Sequence, residues 1–321
     1  MNKNFWKTRN VLITGASGLL GSWLTKTMVD SKANVIVLIR DEVHKSYLFT
    51  SGYINKVTVV RGTLEDYSVV SRILNEYEIE TIFHLAAQTI VGTANRSPLS
   101  TFESNIKGSW NVFEAARTNK LVKRIVFASS DKAYGEHKTL PYDENAPLRG
   151  THPYDVSKSC ADLLAQCYFK TYKLPIGITR CGNIYGGGDL NYNRIVPGTI
   201  RSIILKEQPI IRSDGKYVRD YFFVLDAVEA NILLAENLDK KEIHGEAFNF
   251  SNEEPMEVIE IVDNILKIMN VKNRIKPRIL NIATGEIKKQ YLSSKKARRI
   301  LSWKPEYTIE TGLKETINWY K

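Results

Sequence analysis

Tyr154 and Lys158 stand four residues apart in the segment Tyr154-Asp155-Val156-Ser157-Lys158. On a helix, that spacing sets both side chains on one face. An ammonium beside a phenol stabilises the phenolate and lowers the tyrosine pKa toward working pH. Such a phenolate can take a hydroxyl proton while hydride leaves the same carbon, so the chemistry on offer is oxidation of an alcohol. The spacing alone is a cheap signal, because the chain carries it at Tyr134/Lys138, Tyr154/Lys158 and Tyr291/Lys295. Tyr134/Lys138 falls in a stretch rich in Gly, Pro and charge, and Tyr291/Lys295 lies near the C-terminus, far from any predicted cofactor strand. Tyr154/Lys158 opens a helix in the crossover between two predicted strands, at the carboxyl ends where ligands of parallel sheets bind.

An acceptor for the hydride is implied by Thr14-Gly15-Ala16-Ser17-Gly18-Leu19-Leu20-Gly21, which follows an apolar strand and opens a helix. Glycines there let the backbone approach a pyrophosphate, and the helix N-terminus supplies amide donors. The expected cofactor is NAD or NADP, with NAD favoured. The second strand ends Leu38-Ile39-Arg40-Asp41, where an acid would bond a ribose diol and an Arg would accept a 2′-phosphate. Gly62-Thr63-Leu64 is a candidate adenine contact, and His84-Leu85-Ala86-Ala87-Gln88 ends a strand beside the cofactor, with His84 read as an ordinary packed histidine. Cys160, Cys167 and Cys181 make an odd, sparse set that argues against a disulfide framework. Cys160 and Cys167, seven apart on one helix, have the spacing of core residues. No Cys/His cluster has metal-site spacing, so no metal is expected.

These residues need a frame to hold them. Apolar runs at Val11–Thr14, Val35–Ile39, Val57–Val60, Thr81–Leu85, Arg124–Ala128 and Ile176–Thr179 predict strands. Helical periodicity covers 18–29, 67–77, 102–117 and 153–172. Strands separated by helices predict right-handed crossovers, hence an α/β fold with a Rossmann-type doubly wound parallel sheet. After Thr179 the rhythm changes to short mixed elements broken by prolines, which predicts a smaller α/β C-terminal substrate-binding lobe. The expected division gives 1–180 to the cofactor domain, with 218–247 returning to it, and 181–217 plus 248–321 to the lobe.

A chain of 321 residues, 43% hydrophobic and 25% charged, is of ordinary globular composition. No apolar run approaches the roughly 18–20 residues that span a bilayer, so no membrane partner is expected. Met1–Trp6 runs almost directly into a strand, which leaves no secretory leader and suggests the cytoplasm. The net charge of +10 is scattered apart from Lys295-Lys296-Ala297-Arg298-Arg299, which reads as a solvated surface and not as a nucleic-acid site.

Beyond the turn and the Tyr/Lys pair, the chain carries Asn105, Ser129-Ser130-Asp131-Lys132-Ala133-Tyr134-Gly135, Arg180-Cys181-Gly182-Asn183 and Arg219-Asp220-Tyr221 in that order. The set resembles the extended short-chain dehydrogenases/reductases of the NAD-dependent epimerase/dehydratase family, most of which act on nucleotide-diphosphate sugars. An Asp–Lys pair at 131–132 is similar to CDP-glucose 4,6-dehydratases, as is Gly186-Gly187-Gly188-Asp189 followed by Arg194-Ile195-Val196-Pro197. Arg219-Asp220-Tyr221 looks like the wider superfamily, and Leu38-Ile39-Arg40 resembles GDP-mannose 4,6-dehydratases, so the nucleotide base stays open.

The resemblance implies a tightly held cofactor contacted by Gly15, Ser17, Gly18, Leu19, Leu20, Gly21, Arg40, Asp41, Thr63, Leu64, Leu85, Ala86, Ala87, Gln88, Asn105, Tyr154, Lys158 and Cys181. It implies a substrate contacted by Gln88, Ser130, Asn183, Arg194 and Arg219. The catalytic set is Ser130, Asp131, Lys132, Tyr154 and Lys158, with Asp131 as acid and Lys132 as base of a water elimination. The rival is a 4-epimerase or 4-ketoreductase on the same sugars; from another class, a non-catalytic NAD(P)-sensing module. A homodimer is implied through two long helices, with Phe102, Ile106, Trp110, Phe113, Leu163, Leu164 and Phe169 serving either as contact or as core.

Overall fold

In the strand Asn10–Thr14, Val11 and Ile13 face one way and Leu12 the other. The same split recurs with Val35 and Val37 against Ile36 and Leu38, Phe83 against Ile82, and Val126 against Ile125 and Phe127. Each strand is therefore apolar on both faces, which is why its sequence shows no polar alternation. The computed structural model describes residues 1–283 and 286–321. In it seven such strands form one parallel sheet. Their spatial order is Thr58–Arg61, Asn34–Ile39, Asn10–Thr14, Thr81–His84, Arg124–Ala128, Ile176–Cys181 and Ala247–Phe250. The winding reverses between Asn10–Thr14 and Thr81–His84, the switch point where doubly wound sheets bind ligands. Helices Leu19–Asp30 and Val224–Asn237 cover one face, and Tyr67–Glu76, Gly108–Thr118 and Pro153–Tyr172 the other. The chain thus has the Rossmann-type α/β fold.

Three elements depart from the sequence reading. The helix expected over 102–117 is broken: Pro98–Phe102 passes into a π-helical turn, Glu103–Lys107, before Gly108–Thr118. The wider turn carries Asn105 inward, where its side chain ties two other segments together. Ala247–Phe250 is the seventh sheet strand, so the division expected at 247 falls inside it. Val218–Phe223 does not join the large sheet. It is the centre of a small sheet, paired with Asn183–Tyr185, Pro255–Glu257 and Lys289–Gln290.

That small sheet lies beside a second core in which Ile200, Ile211, Phe223, Ile261, Ile265 and Leu313 are buried together. The helices Ile195–Ile204, Val258–Ile268 and Ile309–Tyr320 supply most of it. Among the described residues no helix is long and apolar enough to cross a membrane.

Candidate active site

The glycine turn is built for close approach. Gly15 has φ of +75°, and a Cβ there would lie 2.8 Å from the Ala86 backbone at the end of the neighbouring strand. Gly18 caps the helix Leu19–Asp30 without a side-chain bond, so its first-turn amides are not taken by a cap. A Cβ on Gly21 would fall onto the Gly15 carbonyl. Such a turn, narrowed by missing side chains and ending in helix amides, fits a dinucleotide pyrophosphate. Ser17, Leu19 and Leu20 belong to this turn, the two leucines packing partly against the cores behind it.

Along the adjoining strand ends, Leu85 N–H donates to the Thr14 carbonyl at 3.3 Å and Ala86 N–H to Thr14 Oγ1 at 3.2 Å, which fixes the Leu85-Ala86-Ala87-Gln88 segment beside the glycines. His84 is fully buried between Thr14 Oγ1 (2.9 Å) and Ser109 Oγ (3.0 Å). Burial, aided by the Lys158 charge, pushes its pKa down to about 3, so it is a neutral packing residue. Asn105 joins three elements: its Oδ1 accepts from Gln88 N–H at 2.6 Å, and its Nδ2 donates to the Gln88 carbonyl at 3.2 Å and to Ser157 Oγ at 2.8 Å. Leu64 is buried beneath, its carbonyl held by Asn111 Nδ2 at 2.8 Å, while Thr63 Oγ1 bonds to Glu65. Arg40 and Asp41 stand apart on the rim, 56% and 69% exposed, paired to each other at 2.7 Å.

At the end of the fifth strand the chain turns into the 3-10 segment Asp131–Tyr134, opened by Ser130, whose Oγ accepts from Lys132 N–H at 3.1 Å. Ser130 Oγ donates to Asp131 Oδ1 at 3.1 Å, and Lys132 Nζ to Asp131 Oδ2 at 3.3 Å. Side-chain exposure is 4% for Asp131 and 19% for Lys132, so this is no ordinary surface ion pair. Burial lowers the Lys132 pKa and the Arg219 charge lowers it further, against the pull of Asp131. Tyr154 and Lys158, on the helix Pro153–Tyr172, face the same strand end. Lys158 Nζ donates to the Ala128 carbonyl at 2.6 Å, and burial lowers its pKa to about 8. The Tyr154 phenol is pushed up to about 12 by burial, with Ser130 and Arg194 acting to lower it. The expected lowering by Lys158 is therefore not what this geometry gives. The lysine stem runs to the sheet and its ammonium bonds a carbonyl there.

Of the substrate candidates, Arg219 is mostly buried. Its guanidinium donates to the Val218 and Lys288 carbonyls at 2.9 and 3.2 Å. Asn183 is a half-buried strand residue opposite Tyr221. Arg194 is more exposed and paired with Asp189 at 2.9 Å. Cys181 is buried with its thiol pushed up to about 12 by burial, which makes it inert packing. Tyr134, of the first alternative Tyr/Lys spacing, is fully buried; its hydroxyl donates to Asn249 Oδ1 at 2.8 Å and accepts from Arg180 at 2.8 Å. Arg180 in turn makes a fully buried two-pronged pair with Asp162, at 2.9 and 2.8 Å. This network braces the 131–134 turn from behind.

Cys160 and Cys167 are not core residues. They lie half-buried and exposed on the outer face of their helix, where they line a groove with Ile106, Trp110, Leu163 and Leu164. Phe113, by contrast, is core. In the basic run, Lys296 pairs with Glu246 at 2.6 Å and Arg298 with Glu253 at 2.5 Å.

Two residues at the site escaped the sequence reading. Asp155 is buried next to Tyr154, and burial pushes its carboxyl up to about 6. In sequence it reads only as an acid in a first helical turn. Gln290 is fully buried, donates through Nε2 to the Asp131 carbonyl at 2.7 Å, and accepts from Lys132 Nζ through Oε1. It is neighbour to Tyr291, a position the sequence placed far from any cofactor strand; no local signal marks it.

The family model described as GDP-mannose 4,6 dehydratase matches residues 12–316. A CDP-glucose 4,6-dehydratase of Salmonella typhimurium is 27% identical, covering 100% of this chain and 93% of its own length. The crystal structure of a UDP-glucose 4-epimerase from Thermotoga maritima with UDP-glucose superposes with a TM-score of 0.87, at 27% identity over 97% of this chain and 98% of that one. A dTDP-glucose 4,6-dehydratase from Bacillus anthracis in complex with NAD gives 0.85, at 25% identity over 98% and 96%.

Proposed function

The chain belongs to the GDP-mannose 4,6 dehydratase family, and from that premise we propose that it is a nucleotide-diphosphate-sugar 4,6-dehydratase using NAD. The observation that carries this reading is the buried Asp131–Lys132 pair beside Tyr154, with Lys132 held below the ordinary lysine range. Oxidation and reduction at a sugar hydroxyl need only Tyr154, Ser130 and Lys158. A second, buried acid–base pair is what an elimination adds.

NAD, when bound, would supply the acceptor for a hydride from C4 of the hexose and the donor of a hydride to C6. Residues 15–21 and 85–88 would hold the cofactor, with Asn105 fixing Gln88 in place, and Arg194 and Arg219 would meet the diphosphate. Tyr154 in its phenolate form takes the 4-hydroxyl proton; this is a minor form, because burial holds its pKa up at about 12, and Ser130 and Arg194 act to stabilise it. The 4-ketone acidifies C5–H, and Lys132 in its amine form removes that proton. Asp131 donates a proton to the departing 6-hydroxyl, which leaves as water. Lys132 then returns its proton to C5 as C6 is reduced. Over the cycle Tyr154 gains one proton and Asp131 loses one; Ser130, which bonds Asp131 and acts on Tyr154, is placed to pass it between them.

The test is incubation of NAD-loaded protein with CDP-, GDP-, UDP- and dTDP-glucose and GDP-mannose, read by mass spectrometry. Loss of one water from any of them supports the dehydratase. The likeness to a UDP-glucose 4-epimerase favours a second reading, epimerisation, for which the product has unchanged mass and altered chromatography. We also propose a homodimer through the outward groove of Ile106, Trp110, Leu163 and Leu164, where Trp110 and Leu163 are 42% and 54% exposed.

A further inference from the structure

Gln290 reaches the acid–base pair from the other lobe. The short strand Lys289–Gln290 lies parallel to Val218–Phe223 with Gln290 opposite Arg219. Tyr142 secures the chain immediately after it: Tyr142 N–H donates to the Tyr291 carbonyl at 3.0 Å and Ser293 N–H to the Tyr142 carbonyl at 2.8 Å. Held on both sides, Gln290 is fully buried with both ends of its amide engaged. Nε2 can only donate, and it meets the Asp131 carbonyl at 2.7 Å; Oε1 can only accept, and it meets Lys132 Nζ. The reverse amide orientation would set an NH2 group against the lysine, so the chemistry of the partners fixes the assignment.

We propose that Gln290 is the positioning residue of the elimination step: together with Asp131 it takes two of the N–H groups of Lys132 and so aims the remaining tetrahedral direction of Nζ at the substrate. A neutral amine has two N–H bonds and one lone pair. Its two acceptors, Gln290 Oε1 and Asp131 Oδ2, leave that lone pair one direction to point. Without Oε1 the amine rotates about Cε–Nζ and the lone pair is aimed for only part of the time. Because Gln290 is neutral, it orients Lys132 without adding a charge that would hold it as ammonium. The inference deepens the dehydratase reading and rests on it for the step concerned.

Two variants of the full-length, NAD-loaded protein test it. Gln290→Met keeps the bulk and removes both bonds; Gln290→Glu keeps the shape and adds a charge. With whichever sugar of the panel the unaltered protein dehydrates, Gln290→Met should lower kcat for water loss at least tenfold, leave KM within about twofold, and leave transient cofactor reduction intact. Gln290→Glu should move the pH at which Lys132 deprotonates upward by about one unit or more. That shift is read without substrate, by pH-dependent acetic anhydride labelling of the Lys132 peptide against Lys123, so it stands even if no sugar in the panel is dehydrated. An unchanged labelling curve in Gln290→Glu overturns the coupling. Equal loss of cofactor reduction and water loss in a folded Gln290→Met overturns the positioning role. Absence of water loss in the unaltered protein, with the labelling shift present, instead removes the dehydratase reading and leaves the Gln290–Lys132 coupling in place.

Discussion

Replacing Lys132 by Met separates the two halves of the proposed reaction. The side chain is four-fifths buried, between Asp131 at 3.3 Å and Gln290. Met fills nearly the same volume without a proton-accepting nitrogen. Asp131 keeps its bond from Ser130 at 3.1 Å, so its side chain is not left without a partner, and Gln290 Oε1 loses its partner. Loss of one such bond costs about 1–3 kcal/mol of stability. Part of this is offset, because burial already disfavours the lysine charge. The protein should therefore fold, with a modest drop in denaturation midpoint. Loss of a positioned general base typically costs about 100- to 10,000-fold in rate, or about 3–5 kcal/mol of barrier. In a single turnover, near-ultraviolet absorbance of reduced cofactor should rise as in the unaltered protein, since Tyr154, Ser130 and Lys158 are untouched. Dehydrated product, read by mass spectrometry, should fall by that factor. Unchanged turnover would refute Lys132 as the base. Loss of the absorbance signal in a folded variant would place the lysine in the oxidation step instead.

Gly15→Ala puts a Cβ 2.8 Å from the Ala86 backbone at a φ of +75°; about 1–2 kcal/mol of stability should go to the left-handed conformation alone, and NAD retention through gel filtration should be lost. Leu163→Asp, at a half-exposed site, should leave the monomer's stability within about 0.5 kcal/mol and halve the mass seen by analytical ultracentrifugation; an unchanged mass removes the groove as the dimer contact. Asp220 is buried and its pKa is raised from 3.8 to about 6, by burial first. The folded state then binds the proton more tightly than the unfolded one, so stability falls as pH rises through about 4 to 6, by up to about 3 kcal/mol. Asp220→Asn can keep the bonds from Ser251 and Leu292 and should flatten urea-midpoint stability across that window; an identical slope in both proteins would show that Asp220 does not titrate there.

What could be read along the chain were elements whose cause is local. Val11–Ile13, Val35–Ile39 and Arg124–Ala128 are apolar on both faces and bounded by breakers, so they declare buried strands wherever they end up. The glycine turn declares itself because positive φ and missing Cβ atoms are properties of the residues at those positions. Pro153–Tyr172 shows its helical period and its opening proline together. By the same logic the sequence misplaced what depends on distant partners. Asn105 sits in a π-helical turn because Gln88 and Ser157 are there to receive its side chain. Cys160 and Cys167 have core spacing, yet the sheet covers the opposite side of their helix and they face outward.

The sequence by itself determined the winding of the sheet, the cofactor turn, and the presence of a Tyr/Lys pair and an Asp–Lys pair close to strand ends. Those follow from periodicity, from backbone sterics and from spacing along one helix or one turn. Only the tertiary structure decided what the pairs can do. Lys132 has a lowered pKa because elements far apart in the chain bury it and Arg219 faces it. Tyr154 and Lys158 share a helix face, but the sheet draws the lysine to the Ala128 carbonyl. Gln290 meets Asp131 across 159 residues of sequence. Desolvation and hydrogen-bond partnership are properties of a place in space, and no window of sequence contains them.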